Sequence, residues 1–185
     1  MKEDFAPISD QDWPFEITDM LSGFAGGLNV YRTMAHHPAL LRAWSDLREH
    51  VVNQTSLGAE RSEVVILRTG MQLGSSYEWH QHIVRGRKSG LSDLRIARLS
   101  GPLDAITGMD ALLAGGVDEL FERKCLSENT YTALKAEIGK HGILDLIATV
   151  GFYSTLGLIL NTFETPLDKD IADELAKKPL DRFRS

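Results

Sequence analysis

Ala59-Glu-Arg-Ser-Glu63-Val-Val-Ile-Leu-Arg68-Thr-Gly-Met-Gln-Leu-Gly74-Ser75-Ser76-Tyr77-Glu78-Trp79-His80-Gln81-His82 is the stretch on which the fold turns. Its first part, residues 59–74, sets Val64, Val65, Leu67, Met71 and Leu73 beside Glu63 and Arg68. The β-branched pair Val64-Val65 suits a strand, but the apolar periodicity runs too long for one and predicts a helix. Gly74 stops that helix, and Ser75 or Ser76 is placed to cap the next, which runs to about residue 89 before Gly90. Two helices joined this tightly pack as an antiparallel or steeply crossing pair, a helical hairpin over 59–90.

Outward from the hairpin the same period recurs. Residues 1–14 are polar and proline-punctuated and read as an N-terminal arm. A short apolar helix at 15–24 ends at Gly26-Gly27, Asn29 is placed to cap the turn starting at Val30, and Pro38 opens a helix to about residue 52. There Leu40, Leu41, Trp44, Leu47 and Val51 recur at spacings of three and four. Ser92 begins a short helix holding Leu94, Ile96 and Leu99. Further helices are expected at 109–125, 128–138 and 143–163, with Ser127 capping the middle one and Gly139 and Gly142 marking its end. An amphipathic segment at 169–177 lies between Pro166 and Pro179. Gly115-Gly116 should weaken or break the helix that contains it. No alternating pattern competes, so the expectation is an all-α, compact multi-helix bundle forming a single domain over 15–185.

The chain has 185 residues, 26 acidic against 20 basic, for a net charge of -6. That length suits one sizeable core. No run of Lys and Arg forms a stripe that could follow a phosphate backbone, so nucleic acid is not an expected partner. Cys125 is the only cysteine, which excludes an intrachain disulfide, a CxxC pair and a cysteine-rich zinc site and suits a reducing cytoplasm. The start, Met1-Lys2-Glu3-Asp4-Phe5, lacks the basic and apolar run of an export signal. Residues 146–163 are uncharged and nearly long enough to cross a bilayer. Thr149, Gly151, Tyr153, Ser154 and Asn161 dilute them, and a helix buried in the bundle or between subunits is the better reading, with no membrane partner.

Chemistry concentrates in the hairpin. On a helix Glu78 and His82 stand four residues apart on one face, and a hairpin can bring Glu63 back toward them. Imidazole titrates near neutral pH, which makes His82 the best proton donor or acceptor. Glu78 can orient it and raise its basicity, and Glu63 can relay a proton. Tyr77 offers a hydroxyl to steer a substrate, and Ser75 and Ser76 offer hydroxyls to an anion near the helix start. Each also has a plain structural reading as a cap, a helix pair or a buried ion pair with Arg61 or Arg68. Arg68 is better read as pinning packed helices through a carboxylate. Trp79 reads as a core anchor, and His80 points away from His82. His36-His37, before Pro38, reads as a cap or faces solvent, while His50 and His141 have no evident chemical neighbour. Glu63, Glu78 and His82 lack a spacing that fixes three metal ligands, so no metal is assigned. With neither phosphate loop nor dinucleotide fingerprint, no cofactor is expected.

Arg61-Ser-Glu63-Val-Val-Ile-Leu-Arg68, followed by Tyr77-Glu78-Trp79-His80-Gln81-His82 and Gly90-Leu91-Ser92, resembles the carboxymuconolactone decarboxylase family, whose superfamily includes alkyl hydroperoxidase D-like proteins. The resemblance centres on residues 58–100. It implies an all-helical fold and a homo-oligomer (dimer, trimer or hexamer) with pockets between packed helices. In the peroxidase branch a glutamate precedes a CxxC pair and a proton-relaying histidine. Glu63 and His82 match the glutamate and histidine, whereas Ser75 and Glu78 occupy the cysteine positions, which rules out disulfide cycling. The decarboxylase branch is closer and implies a small cyclic or lactone carboxylic acid as substrate. His82 would then deliver a proton, Glu78 orient it, Glu63 tune the pocket, and Arg85, one turn beyond His82, contact the acid. Two alternatives accompany this expectation: a non-catalytic helical oligomer that binds a small acidic or aromatic-derived molecule, and a redox-linked activity without the CxxC pair.

Overall fold

The computed structural model describes residues 2–180, so the last five residues of the expected 15–185 domain lie outside the described residues. Ten α-helices are described and no strand among these residues. After a 3-10 turn at Phe15–Ile17 come single turns α1 (Thr18–Leu21) and α2 (Phe24–Gly27), then α3 (Asn29–Met34) and α4 (Pro38–Glu49), which runs on into a π-helical turn, His50–Gln54. The hairpin follows as α5 (Ala59–Gln72) and α6 (Ser76–Lys88). Completing the bundle are α7 (Asp93–Leu99), α8 (Gly108–Arg123), α9 (Glu128–Phe163) and α10 (Lys169–Lys177).

Helix α5 is the axis of the molecule. Nine successive residues from Ser62 to Gly70 are buried, the signature of a helix covered on all sides. Val64, Val65 and Leu67 join Trp79 and Ile83 of α6, Leu113 of α8 and Leu146 of α9 in one apolar cluster. Ile66 and Tyr77 join a second cluster with Tyr31, Leu41, Phe152 and Leu156. The hairpin therefore stands at the seam between the two. Gly70 marks where its helices cross, since a Cβ there would come within 3.3 Å of the Glu78 Cβ. Gly74, at φ +59°, supplies the left-handed turn between them.

Three local expectations are corrected. Gly115-Gly116 does not break α8, which is continuous through both residues. Gly116 is instead a seat for neighbouring side chains, its missing Cβ leaving space beside Leu134, Leu126 and Leu146. Asn29 does not cap α3. It is the first helical residue, and the Asp168 carboxylate accepts from its backbone N–H at 2.8 Å. Neither Ser75 nor Ser76 caps α6 with its side chain. Ser75 occupies the N-cap position fully buried, and Ser76 faces outward, 3.1 Å from His80 Nδ1.

The expected helices at 128–138 and 143–163 are one 36-residue run bent at Gly139, whose backbone is non-helical (φ 66°). By length and composition α9 could cross a membrane, but 56% of its most apolar window is buried inside the protein, as a core helix requires. The arm at 1–14 is held down: Arg32 donates to the Ile8 carbonyl, His36 Nε2 lies 2.8 Å from the Ala6 carbonyl, and Phe5 stacks on Phe163.

Candidate functional site

The crossing of α5 and α6 brings Glu63, Glu78 and His82 together in the seam. His82 Nδ1 lies 2.7 Å from Glu63 Oε2, and His82 Nε2 lies 3.5 Å from Glu78 Oε2. Both ring nitrogens thus face a carboxylate, while the Tyr153 ring of α9 stands edge-on at a centroid distance of 5.0 Å. The imidazole side chain is 3% exposed. Burial by itself drives the proton off, but the Glu63 and Glu78 carboxylates outweigh it and hold the His82 pKa above its usual 6.5. The same carboxylates, on top of burial, push the Tyr153 phenol well above its ordinary value and keep it neutral.

Two cavities meet this cluster from different sides. The first, about 20 Å3, is lined by Tyr31, Arg48, Glu78, Gln81, His82 and Arg85 among others, and is the size of one water molecule. The second, about 230 Å3, is lined by Ser62, Glu63, Arg85, Lys88, Ser89 and Tyr153 together with Val51 and Val52. A small organic acid fits only the second. The three side chains meet, but His82 and Glu78 line the small chamber and Glu63 lines the larger one.

The remaining expected site residues divide. Arg85 lines both cavities and makes no hydrogen bond or ion pair with another described residue, so its guanidinium is available to an anion. Tyr77 borders the small chamber, but its hydroxyl donates to Asp168 rather than to a ligand, because a buried phenol O–H takes the nearest acceptor. Ser75 and Ser76 line neither cavity. Arg68 has the structural role expected of it: it grips Asp118 of α8 through two bonds of 2.7 and 2.6 Å and donates to the carbonyls of Leu99 and Gly101. Trp79 is fully buried, and His37 caps α4 by accepting from the Leu40 N–H.

Sequence reasoning missed Tyr31, Arg48, Gln81 and Tyr153, which reach the cluster from α3, α4, α6 and α9. Tyr153 carried a signal, a phenol inside an otherwise apolar run; Arg48 carried none, because nothing local separates it from a solvated arginine. His50 does have a chemical neighbour, against expectation. Its Nε2 lies 2.7 Å from Asp145 Oδ1, and Asp145 also accepts from the backbone and hydroxyl of Ser56. A lone aspartate in the apolar helix α9 was the available clue. Among the described residues no group of histidine, cysteine and carboxylate side chains is arranged to hold a metal.

Residues 38–115, which include the whole hairpin, match the family model of the carboxymuconolactone decarboxylase family. No curated protein is similar enough in sequence to match. Among solved structures, a cysteine-to-alanine variant of the debrominase Bmp8 in complex with 2,3,4-tribromopyrrole shares the fold at a TM-score of 0.71. That similarity spans 96% of this chain and 98% of the other at 12% identity. The matched segment contains the Glu63–His82–Glu78 cluster, and the bundle as a whole shares its fold with that debrominase structure, so the part of the chain that forms the site is similar to the carboxymuconolactone decarboxylase family.

Proposed function

We propose that this protein is an acid–base enzyme that decarboxylates a small cyclic or lactone carboxylic acid, with Glu63, His82 and Glu78 as its proton relay. The observation that carries the reading is one buried imidazole with a carboxylate at each nitrogen, beside an unpaired guanidinium that faces both cavities. Two carboxylates around one ring hold a proton that can be handed to either side. In the reaction the bond from carbon to the carboxylate breaks and carbon dioxide leaves. The electron pair stays on carbon, delocalised toward an adjacent carbonyl, and that carbon then takes a proton from the relay. Solvent returns a proton to the relay, so the overall reaction consumes one proton for each carbon dioxide released. Arg85, with Lys88 at the rim, offsets the negative charge of the acid while Tyr153, held neutral, offers its hydroxyl to the developing oxyanion.

The cysteine altered in the debrominase variant has no counterpart among these cavity residues: the lone Cys125 is exposed and lines neither cavity. The reading also takes the protein to work in the cytoplasm as a homo-oligomer.

The test is carbon dioxide release from a panel of lactone and β-keto acids by the wild type and by His82→Ala. Release by the wild type and its loss in the variant, with oligomeric state unchanged, is expected. Equal release by both proteins excludes the relay. Binding of an acid without any turnover would favour the non-catalytic reading, which the tightness of the chamber beside His82 supports.

A further inference from the structure

The two cavities differ in more than size, and their unpaired polar atoms differ in kind. Three buried atoms with no hydrogen-bond partner in the protein belong to residues that line the 20 Å3 chamber: Glu78 Oε1, Gln81 Oε1 and Arg48 Nε. Two are acceptors and one is a donor. Glu78 and Gln81 are only 2% and 3% exposed, so bulk solvent does not satisfy them. A single water donates two hydrogen bonds and accepts up to two, and a buried water typically makes about three. The atoms that need partners are thus the set one water can serve, in a space that holds one. The 230 Å3 cavity has its own unpaired buried atom, the Ser62 hydroxyl, next to Glu63, Arg85 and Lys88. That is a donor with two cations, the complement of an anion.

Resting on the decarboxylase reading, we infer that the relay is one-directional. The small chamber binds a water that donates to Glu78 and Gln81 and accepts from Arg48, the acid occupies the larger cavity, and Glu63 rather than His82 transfers the proton to it. Glu63 passes to the product carbon the proton it takes from His82, His82 is reprotonated through Glu78, and Glu78 draws that proton from the water, which bulk solvent reprotonates in turn. Every proton consumed comes from solvent, and no charge accumulates over a cycle. Glu63 is then the catalytic acid, His82 a relay, and Gln81 and Arg48 positioning residues for the water. Ser62 contributes to binding.

A crystal structure of the whole chain and steady-state kinetics of three proteins decide this. The wild type should show one ordered water within hydrogen-bond distance of Glu78 Oε1, Gln81 Oε1 and Arg48 Nε. Gln81→Met, close in shape but lacking the acceptor, should lose that water and about 10-fold in kcat with KM unchanged. Ser62→Ala should raise KM about 5-fold with little change in kcat. If Gln81→Met does not fold, Arg48→Met removes the donor from the opposite wall and carries the same expectation. A dry chamber, a chamber entered by the acid, or a Gln81→Met effect on KM rather than kcat overturns the inference. Failure of the decarboxylase reading looks different. No acid on the panel would then be turned over, while the ordered water and its loss in Gln81→Met would still be decided by diffraction.

Discussion

Glu63 Oε2 lies 2.7 Å from His82 Nδ1 across 19 residues of chain, a contact made by the crossing of α5 and α6 at Gly70. Both groups are buried, so removing one leaves the other in a medium that disfavours its charge. Glu63→Ala is therefore expected to cost about 3–5 kcal/mol of unfolding free energy, the range for breaking a buried ion pair. Glu63→Gln keeps an acceptor for the imidazole N–H and should cost less. Urea unfolding of the three proteins measures both differences, and a loss under about 1 kcal/mol for Glu63→Ala would show that the pair is not formed.

The raised pKa of His82 fixes a sign for the pH dependence of stability. Below about 6.5 the histidine is protonated in both folded and unfolded chains, and its contribution is fully present. As pH rises above 6.5 the unfolded chain releases its proton while the folded one keeps it, so stability falls until the folded pKa is passed. The slope in that window reaches at most about 1.4 kcal/mol per pH unit for one proton. Asp145 works on the other side. Burial opposes its charge, but bonds from Ser56 and His50 prevail and lower its pKa below 3.8, so its contribution is lost only in acid. Chemical denaturation at pH 6, 7 and 8 should show a decline in the wild type that is flattened in His82→Gln; parallel curves would refute it.

What was legible from sequence was whatever a local rule governs. The hairpin followed from apolar period and from Gly74, and the Glu78–His82 pair from a spacing of four on one helix. Glu63 was reachable because a tight turn leaves few ways to fold back. Failures came where a distant element decides. Gly115-Gly116 has the composition of a break, yet three leucines from α9 and the loop before it fill the space beside Gly116. Asn29 has the chemistry of a cap, yet Asp168 supplies the acceptor from 139 residues away. The division of the space around the cluster into two cavities depends on Val52, Arg85 and Tyr153, which border both and come from three separate elements.

Arg68 joins three elements with four bonds, two to the Asp118 carboxylate and one each to the Leu99 and Gly101 carbonyls. Its side chain is 5% exposed, and that of Asp118 is 14% exposed, so water replaces little of what is lost on truncation. Arg68→Met fills much of the same volume but takes the cation from the Asp118 carboxylate, to which the Gln72 amide still donates, and a donor from two carbonyls. The expected cost is about 3–5 kcal/mol. The double variant Arg68→Met with Asp118→Leu should recover part of it, because no charge is then left unpaired. Thermal or urea unfolding of both variants checks the order, and a double variant no more stable than Arg68→Met would contradict it.

Two glycines in long helices should respond to alanine with opposite signs. Gly151 lies on the exposed face of α9, and a Cβ there meets nothing within 4 Å. Gly151→Ala therefore gains the helix-propensity difference, about 0.8–1 kcal/mol, with no packing cost. Gly116 lies buried in α8, and a Cβ there would stand 3.2 Å from Leu134 Cδ1 and 3.7 Å from the terminal carbons of Leu126 and Leu146. Leu134 is itself fully buried and has little room to yield. Overpacking of about 1–3 kcal/mol then exceeds the propensity gain, and Gly116→Ala should be destabilising by up to about 2 kcal/mol. Unfolding midpoints measured on the two variants side by side should move apart, Gly151→Ala upward and Gly116→Ala downward. A rise for Gly116→Ala would mean that Leu134 shifts freely, and a fall for Gly151→Ala would mean that its face of α9 is covered in solution.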